Sequence, residues 1–431
     1  MKTLLLSSVM AGALLLGAAG LCAPAAARTP GQDTSYGPAG VLKAGTAKVN
    51  ITPEKPRYPV HDSLYARSLV LEEGNVRIAF ISLDLGVYTN ENIRRTLMQR
   101  YGLTELYLSN SHTHSGQNPD EAFMMERLDK AMRLAMADRF EARVSAGHRQ
   151  FFPIAFNRLI VRDNGRAMES WEGDDHYLPV NPDRLVHGPI DPSVGVIKFE
   201  DLSGQPRALI MNFACHPDVV WNNFEISADY VGYATRYTEE AFDGKVNCLF
   251  IQGGAGNQAP LYKDGGRQSP DDPRPARYEL IDRMGRLLSI ETVKLANSLY
   301  PNVNQEGSLL VKADSLNFTG RYDPRIRDNV HFSTIVLNRD IAIATCSGEP
   351  FIRFQLDWKQ RMEGEATPFL FGYTWNGGRW PNYLPDIRSA CLGGFGADNG
   401  MPDIIEIGAP EKIFDKILEN YYRLTLPLMR Q

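Results

Sequence analysis

The sequence predicts an α/β protein: a mixed β-sheet core flanked by helices, with the active site at the strand ends. Two observations carry this prediction. From about residue 45 onward, short apolar segments that read as buried strands alternate with segments of helical periodicity. Several of those apolar segments then run straight into loops rich in His, Glu, Asn and Gly. In open α/β sheets, ligands bind in the crevice outside the carboxyl ends of strands.

Taken in order, the chain opens with a targeting segment. Lys2 supplies a positive end, Leu4 to Leu21 is an uncharged apolar stretch, and Ala23 to Ala27 provides small-residue cleavage sites. Cys22 follows Leu21, which is the wrong size for a lipoprotein signal. We expect a signal peptide over 1–27, export to the periplasm or medium, a Gly- and Pro-rich linker over 28–43, and one folded domain over 44–431.

The core begins in GTAKVNITP at Gly45. VRIAFISLDLG, from Val76, reads as a buried strand, and 91–102 as a helix ending at a glycine. Next comes LYLSNSHTHSGQNP, in which the short apolar strand Leu106 to Leu108 leads to His112 and His114. Residues two apart in extended backbone point to the same side. A helix is predicted over 121–140, strands at ARVSAGHRQ and FNRLIVRDNGR, and an irregular loop over 163–192. A loop of that length is usually functional or disordered. Strands return at VGVIKFED, RALIMNFACHP, VNCLFIQGG, STIVLNRDIAIATCSGEP and FLFGY; helices are predicted over 230–242, 278–296 and 410–422.

Composition excludes some functions. With 43% hydrophobic and 23% charged residues the chain reads as soluble and globular, and a net charge of −5 argues against nucleic-acid binding. After the N-terminus, no apolar run is long enough to span a bilayer, so no integral membrane segment is expected once the signal is removed. Cys215, Cys248 and Cys346 sit in or at the end of apolar strands and read as buried thiols; with Cys391 they do not have the spacing of a structural zinc site.

The chemistry-bearing residues just past the strands are Asp84, His112 and His114, His216 in NFACHP, the QGGAGN loop ending at Asn257, Glu349 in CSGEP, and the FGYTWN segment near Tyr373. Each alone has a plain reading: solvated loop histidines, a core histidine, a helix-cap partner before Pro350. If several of these strands are parallel neighbours, the histidines and the glutamate face one another. Neutral imidazole and carboxylate suit Zn²⁺ and leave a position open for water, so the set points to a metal hydrolase.

HTHSG, FNR at Phe156 to Arg158, GPIDPSVGVIKFED, NFACHP, EISADYVGYA, QGGAGNQAP, CSGEPF and PNYLPDIRSACLGGF occur in this order. The ordered set closely resembles the neutral (non-lysosomal) ceramidase family, specifically its catalytic N-terminal domain, from about Gly45 to the end. The resemblance implies a zinc amidase that cleaves N-acylsphingosine into sphingosine and a fatty acid by zinc-bound hydroxide. It implies zinc ligands at His112, His216, Glu349 and Tyr383, an acid–base histidine at His114, and Arg158 holding the substrate carbonyl or developing oxyanion. Because the chain ends at Gln431, no C-terminal immunoglobulin-like domain is expected.

Four positions depart from the family pattern. Ala259 stands where the family has a serine, Asn257 where related sequences have an aspartate, Gln117 where a proline is usual, and Phe395 where a second tyrosine touches the reacting group. The metal set is kept while the substrate-facing set is altered; the candidate substrate-binding residues are Phe395, Asn257 and Trp375. Three readings follow: hydrolysis of ceramide or another N-acyl compound; the same fold and zinc acting on a small amide, ester or sugar-derived compound; or a non-catalytic binding protein. The expected partner is a small-molecule or lipid substrate, with peripheral membrane contact compatible with the first reading. Trp171, Tyr177, Leu178, Trp375 and Trp380 are either an apolar mouth or packing anchors. In the second reading Trp375 and Trp380 stack on a ring, and Asp174, Asp175 and Asn376 bind its hydroxyls.

Overall fold

The structure, a computed structural model, describes residues 41–426 apart from 152, 170–187, 222, 265–266, 268, 274, 303–306 and 399–403. The expected signal peptide, most of the linker, and Trp171, Asp174, Asp175, Tyr177 and Leu178 lie outside the described residues. No helix among those described is long and apolar enough to cross a membrane.

The α/β class with mixed pairing is what the structure shows, but the strands divide among three main sheets instead of one. The first has six strands, in the order Thr374–Trp375, Glu105–Asn110, Val76–Leu83, Tyr65–Glu73, Lys43–Asn50, Phe140–Glu141. The second has four, in the order Asn247–Gln252, Pro206–Phe213, Ser193–Glu200, Arg143–Gln150. The third also has four: Leu309–Thr319, Arg327–Leu337, Ile341–Cys346, Thr367–Phe371. Each contains one parallel pair: Val76–Leu83 with Glu105–Asn110, Pro206–Phe213 with Asn247–Gln252, and Ile341–Cys346 with Thr367–Phe371.

The period of two along each strand explains how three sheets share one core. Ile78 and Phe80, Leu249 and Ile251, and Ile341 and Ile343 all face a single apolar cluster between the sheets. Their alternate neighbours face outward onto helices. Ala79, Ile81 and Leu83 meet α1 (Glu91–Tyr101) and α2 (Glu121–Ala137). Cys248 and Phe250 meet α3 (Asp229–Ala241) and α4 (Tyr278–Ser298). Ala342, Ala344 and Cys346 meet α5 (Ile352–Arg361) and α7 (Ala409–Thr425), which follows the short α6 (Ile387–Leu392). Strands buried on both faces are apolar runs, as the sequence presents them.

The helices end where local chemistry dictates. Asn90 accepts from Ile93 N at the start of α1, and Gly102 ends it in the left-handed conformation at φ 59°. Asp120 caps α2 in the same way. The Tyr65–Glu73 and Leu309–Thr319 strands and α5 lie outside the predicted pattern. The first carries a buried charge, Arg67, neutralised by Asp84 at 2.9 Å, so its sequence lacks a clean apolar signature. The second leaves much of one face partly exposed, and α5 starts directly after the Glu349–Pro350 strand. Cys215, Cys248 and Cys346 are buried free thiols, as expected, while Cys391 is exposed.

Candidate metal centre

The carboxyl ends of strands from all three sheets meet in one place. The strand ending at Asn110 delivers His112 and His114, the one ending at Phe213 delivers His216, and the one ending at Cys346 delivers Glu349. Gln252, at the end of its own strand, ties two of these loops together. Its Nε2 donates to Ser111 O at 3.2 Å and Cys215 O at 2.8 Å, the carbonyls immediately before the two histidines.

Both of those histidines are anchored through the same atom. His112 Nδ1 lies 2.9 Å from Gly86 O, and His216 Nδ1 lies 2.9 Å from Gln258 O. A carbonyl only accepts, so each Nδ1 carries the proton and each Nε2 keeps its lone pair. His112 Nε2 is 3.5 Å and His216 Nε2 3.4 Å from the same oxygen, Glu349 Oε2. Those separations are too long for good hydrogen bonds, and His216 Nε2 is buried without a hydrogen-bond partner. They match the edge of a tetrahedron, about 3.3–3.5 Å, drawn around a cation at ordinary Zn–N and Zn–O distances. Residues fixed by outer hydrogen bonds with inward lone pairs at that spacing fit a zinc ion.

The backbone here is strained. His112 sits at φ 71°, a left-handed conformation that bulky residues rarely adopt. Tyr373 at 55° and Asn382 at 54° share it. Each such residue costs on the order of 1–3 kcal/mol and persists only where its surroundings over-determine it. His112 N is held by Leu85 O at 2.9 Å.

Tyr383 reaches the centre beside Glu349. The two are register partners in a short parallel pair, with Glu349 N donating to Asn382 O at 2.7 Å. Arg158 Nη2 donates to Tyr383 Oη at 3.1 Å and to Gly256 O at 2.7 Å. His114 lies at the solvent-exposed side of the group, its ring 5.0 Å from that of His112 and 5.7 Å from that of His216. The three histidines form a group whose ligand atoms all lie within 4.8 Å of one another.

Electrostatics favour the charged carboxylate and neutral imidazoles. Burial alone would raise Glu349, yet His112, His216 and Arg158 hold it down at about 2. Burial, then the Arg158 charge, lowers His216. Crowding by protein lowers His114 and so do the neighbouring imidazoles, while Asp218 opposes them. Burial pushes the Tyr383 phenol up, with Glu349 acting in the same direction.

The remaining expected residues are placed unevenly. Phe395 is at the centre: its ring is 5.6 Å from that of Tyr383 and 5.4 Å from the Arg158 guanidinium. Asn257 is 3% exposed and works mainly on the scaffold, its Oδ1 accepting from Ile352 N at 3.0 Å and its carbonyl from Arg158 N at 3.0 Å. Trp375 is not a substrate platform here. It is 2% exposed in the core under α1 and α2, with Nε1 donating to Gly378 O at 3.0 Å. Asn376 is likewise buried, bonded to Glu105 and Ser333, so it meets no substrate hydroxyl.

Sequence reasoning marked the segment near Tyr373 as a strand end but gave that residue no role, and it missed Asp218. Tyr373 is buried with its hydroxyl 3.2 Å from Glu349 Oε2. Asp218 is buried and paired with Lys263 at 2.8 Å; burial opposes its ionisation, but Lys263, His114 and His216 hold it well below the usual carboxylate range. The signals were thin: Tyr373 follows the apolar FLFG strand, and Asp218 follows His216 by two residues.

No family model matches the chain. A curated neutral ceramidase of Pseudomonas aeruginosa is 26% identical over 226 residues, 47% of this chain and 32% of that protein. The match thus spans about a third of the length of that relative. The crystal structure of neutral ceramidase from Pseudomonas aeruginosa superposes with a TM-score of 0.65 at 15% identity, covering 91% of this chain and 75% of the other. A ceramidase complexed with C2 gives a TM-score of 0.65 at 13% identity, covering 91% and 76%. The similarity to neutral ceramidase expected from the ordered motifs is borne out in sequence and fold.

Proposed function

We propose that the chain is a zinc-dependent hydrolase that cleaves the amide bond of ceramide or a related N-acyl compound. The observation that carries the reading is the pair of Nδ1-anchored histidines whose Nε2 atoms converge on Glu349 Oε2 at 3.5 and 3.4 Å. His112, His216 and Glu349 would hold the ion, with Tyr383 as the fourth ligand. The likeness to neutral ceramidase in sequence and fold supports the choice of reaction.

A bound Zn²⁺ supplies Lewis acidity and lowers the pKa of a water toward about 7. The chain's own groups do the rest. Arg158, buried and fixed against Tyr383 and Gly256, presents a guanidinium to the substrate carbonyl and its developing negative charge. His114, on the solvent side of the cluster, delivers a proton to the departing nitrogen. The charge of Asp218 opposes the two imidazoles and stabilises His114 when it carries that proton. Ala259 is fully buried in a strand paired with Phe156, so this position offers no serine-type nucleophile.

Phe395 favours substrates that need one donor fewer than ceramide: small, soluble N-acyl compounds. Export belongs to the same proposal, with residues 1–27 as a signal peptide, 28–43 as a linker and the hydrolase domain from 44. The deciding experiment incubates purified mature protein with labelled ceramide, short-chain N-acyl substrates and sugar-derived amides, with and without a chelator. Chelator-sensitive release of fatty acid is expected. Turnover that survives complete metal removal would overturn the zinc reading.

A further inference from the structure

We infer that Tyr373 is a positioning residue for the metal centre: its phenol fixes Glu349 Oε2 at the point where His112 and His216 converge. The inference rests on the proposal that these residues hold zinc.

Tyr373 is fully buried, and its hydroxyl donates to Glu349 Oε2 at 3.2 Å. That oxygen is the one approached by both imidazole Nε2 atoms. The Tyr373 ring centroid is 4.9 Å from that of His112 and 6.0 Å from that of His216. A carboxylate oxygen only accepts, so the phenol hydroxyl is the donor in this contact.

The backbone points to the same role. Tyr373 sits at φ 55° although it is a bulky residue. Tyr373 N donates to Gly348 O at 2.9 Å, and Tyr373 O accepts from Asn110 N at 3.0 Å. One strained residue thus clamps the turn before Glu349 to the strand end before His112, and its side chain spans the same gap. A ligating carboxylate can rotate; a donor on the ligating oxygen removes that freedom before the metal arrives. Loss of such an outer partner typically lowers metal affinity about 10–100-fold.

The test is Tyr373→Phe in the full mature chain, which removes one oxygen and keeps the ring. Zn²⁺ affinity is measured by chelator competition, and the absorption bands of the Co²⁺-loaded protein report on ligand geometry. We expect affinity to fall about 10–100-fold, the cobalt bands to shift, and the metal-free melting temperature to change little. In a Glu349→Gln background, Tyr373→Phe should have less than about a third of that effect on a logarithmic scale, because the two act as a unit. As a second readout in the native fold, 3-fluorotyrosine placed at 373 should show a fluorine resonance that moves on adding Zn²⁺. Unchanged affinity with unchanged cobalt bands in Tyr373→Phe, or a fluorine resonance indifferent to zinc, would overturn the positioning role while leaving the zinc reading intact. Failure of the wild-type chain to bind zinc at all overturns both.

Discussion

Glu349 and Tyr383 sit side by side as Cα partners in a parallel pair only two residues long. That pairing brings two expected ligands, remote in sequence, to one backbone level. The histidines arrive from two other sheets, so the centre exists only when the three sheets are packed. A site built this way is sensitive both to its ligands and to the backbone contacts that align its loops.

The ligand assignment predicts loss of metal on single substitutions. His112→Ala, His216→Ala and Glu349→Ala should each weaken Zn²⁺ binding by more than about 100-fold, beyond the range expected for outer partners. Elemental analysis of each dialysed variant reads the outcome. Full zinc occupancy in His112→Ala and His216→Ala would sink the assignment. His114→Ala should keep most of its metal and lose turnover, which separates the acid–base role from ligation.

Gly256 predicts a purely steric effect. A Cβ there would collide with the Glu349 carbonyl oxygen and lie 2.8 Å from Phe351 Cδ1. Gly256 N also donates to Pro350 O at 2.9 Å, so the glycine loop is pressed against the turn that presents Glu349. Gly256→Ala should cost about 1–3 kcal/mol of stability, as overpacking does, and weaken metal binding by displacing the carboxylate. Chemical denaturation together with zinc titration checks it. A variant with unaltered zinc affinity would mean that the turn can yield without moving Glu349.

How far the sequence could reach follows from the same geometry. The apolar strands and amphipathic helices were legible because burial imposes periods of 2 and 3.6 on side chains. HTHSG, ACHP and SGEP were legible because each follows such a strand directly. Tyr373 was legible only as a strand-end residue: its part depends on a hydroxyl meeting a carboxylate of another loop, and no local spacing encodes that. Trp375 misled for a related reason, since an aromatic beside Gly377 and Gly378 reads as a loop platform until the Thr374–Trp375 edge strand turns it into the core. The division into three sheets was hidden because parallel and antiparallel buried strands carry the same apolar signature.

Asp229 predicts a pH dependence of stability independent of metal. It begins α3 at φ 54°, its carboxylate accepting from Tyr230 N at 2.6 Å and Val220 N at 3.1 Å. Burial raises its pKa from 3.8 to about 7, while these hydrogen bonds act against the rise. The folded state therefore holds this proton more tightly than the unfolded one. Its contribution is fully present below about 3.8 and is lost as pH rises toward about 7. Asp229→Asn keeps an acceptor and removes the titration, and asparagine tolerates the left-handed backbone. Between pH 4 and 8 the variant should gain stability relative to the wild type by on the order of 2–4 kcal/mol. Urea unfolding of both proteins across that range reads the difference; a constant gap at every pH would refute the linkage.

Phe395 predicts where specificity can be recovered. Its ring lies 5.4 Å from the Arg158 guanidinium and 5.6 Å from the Tyr383 ring, beside the groups proposed to hold the substrate carbonyl. A phenyl there excludes water but donates nothing. Removing one donor aimed at a developing oxyanion commonly reduces the rate by about 10²–10³. Phe395→Tyr places a hydroxyl on the same ring, beside a cation that can orient it. Turnover of ceramide should rise at least about tenfold, with a smaller effect on short-chain N-acyl substrates, the proposed preference of the wild type. Because a transition-state donor acts on the chemical step, the gain should appear in kcat more than in KM. Steady-state kinetics on ceramide and on a short-chain N-acyl substrate, for wild type and Phe395→Tyr, decide the matter. If the wild type hydrolyses long-chain ceramide efficiently and Phe395→Tyr leaves kcat unchanged, Phe395 does not set the substrate, and the search for specificity moves to the solvent-open side of the cluster near His114.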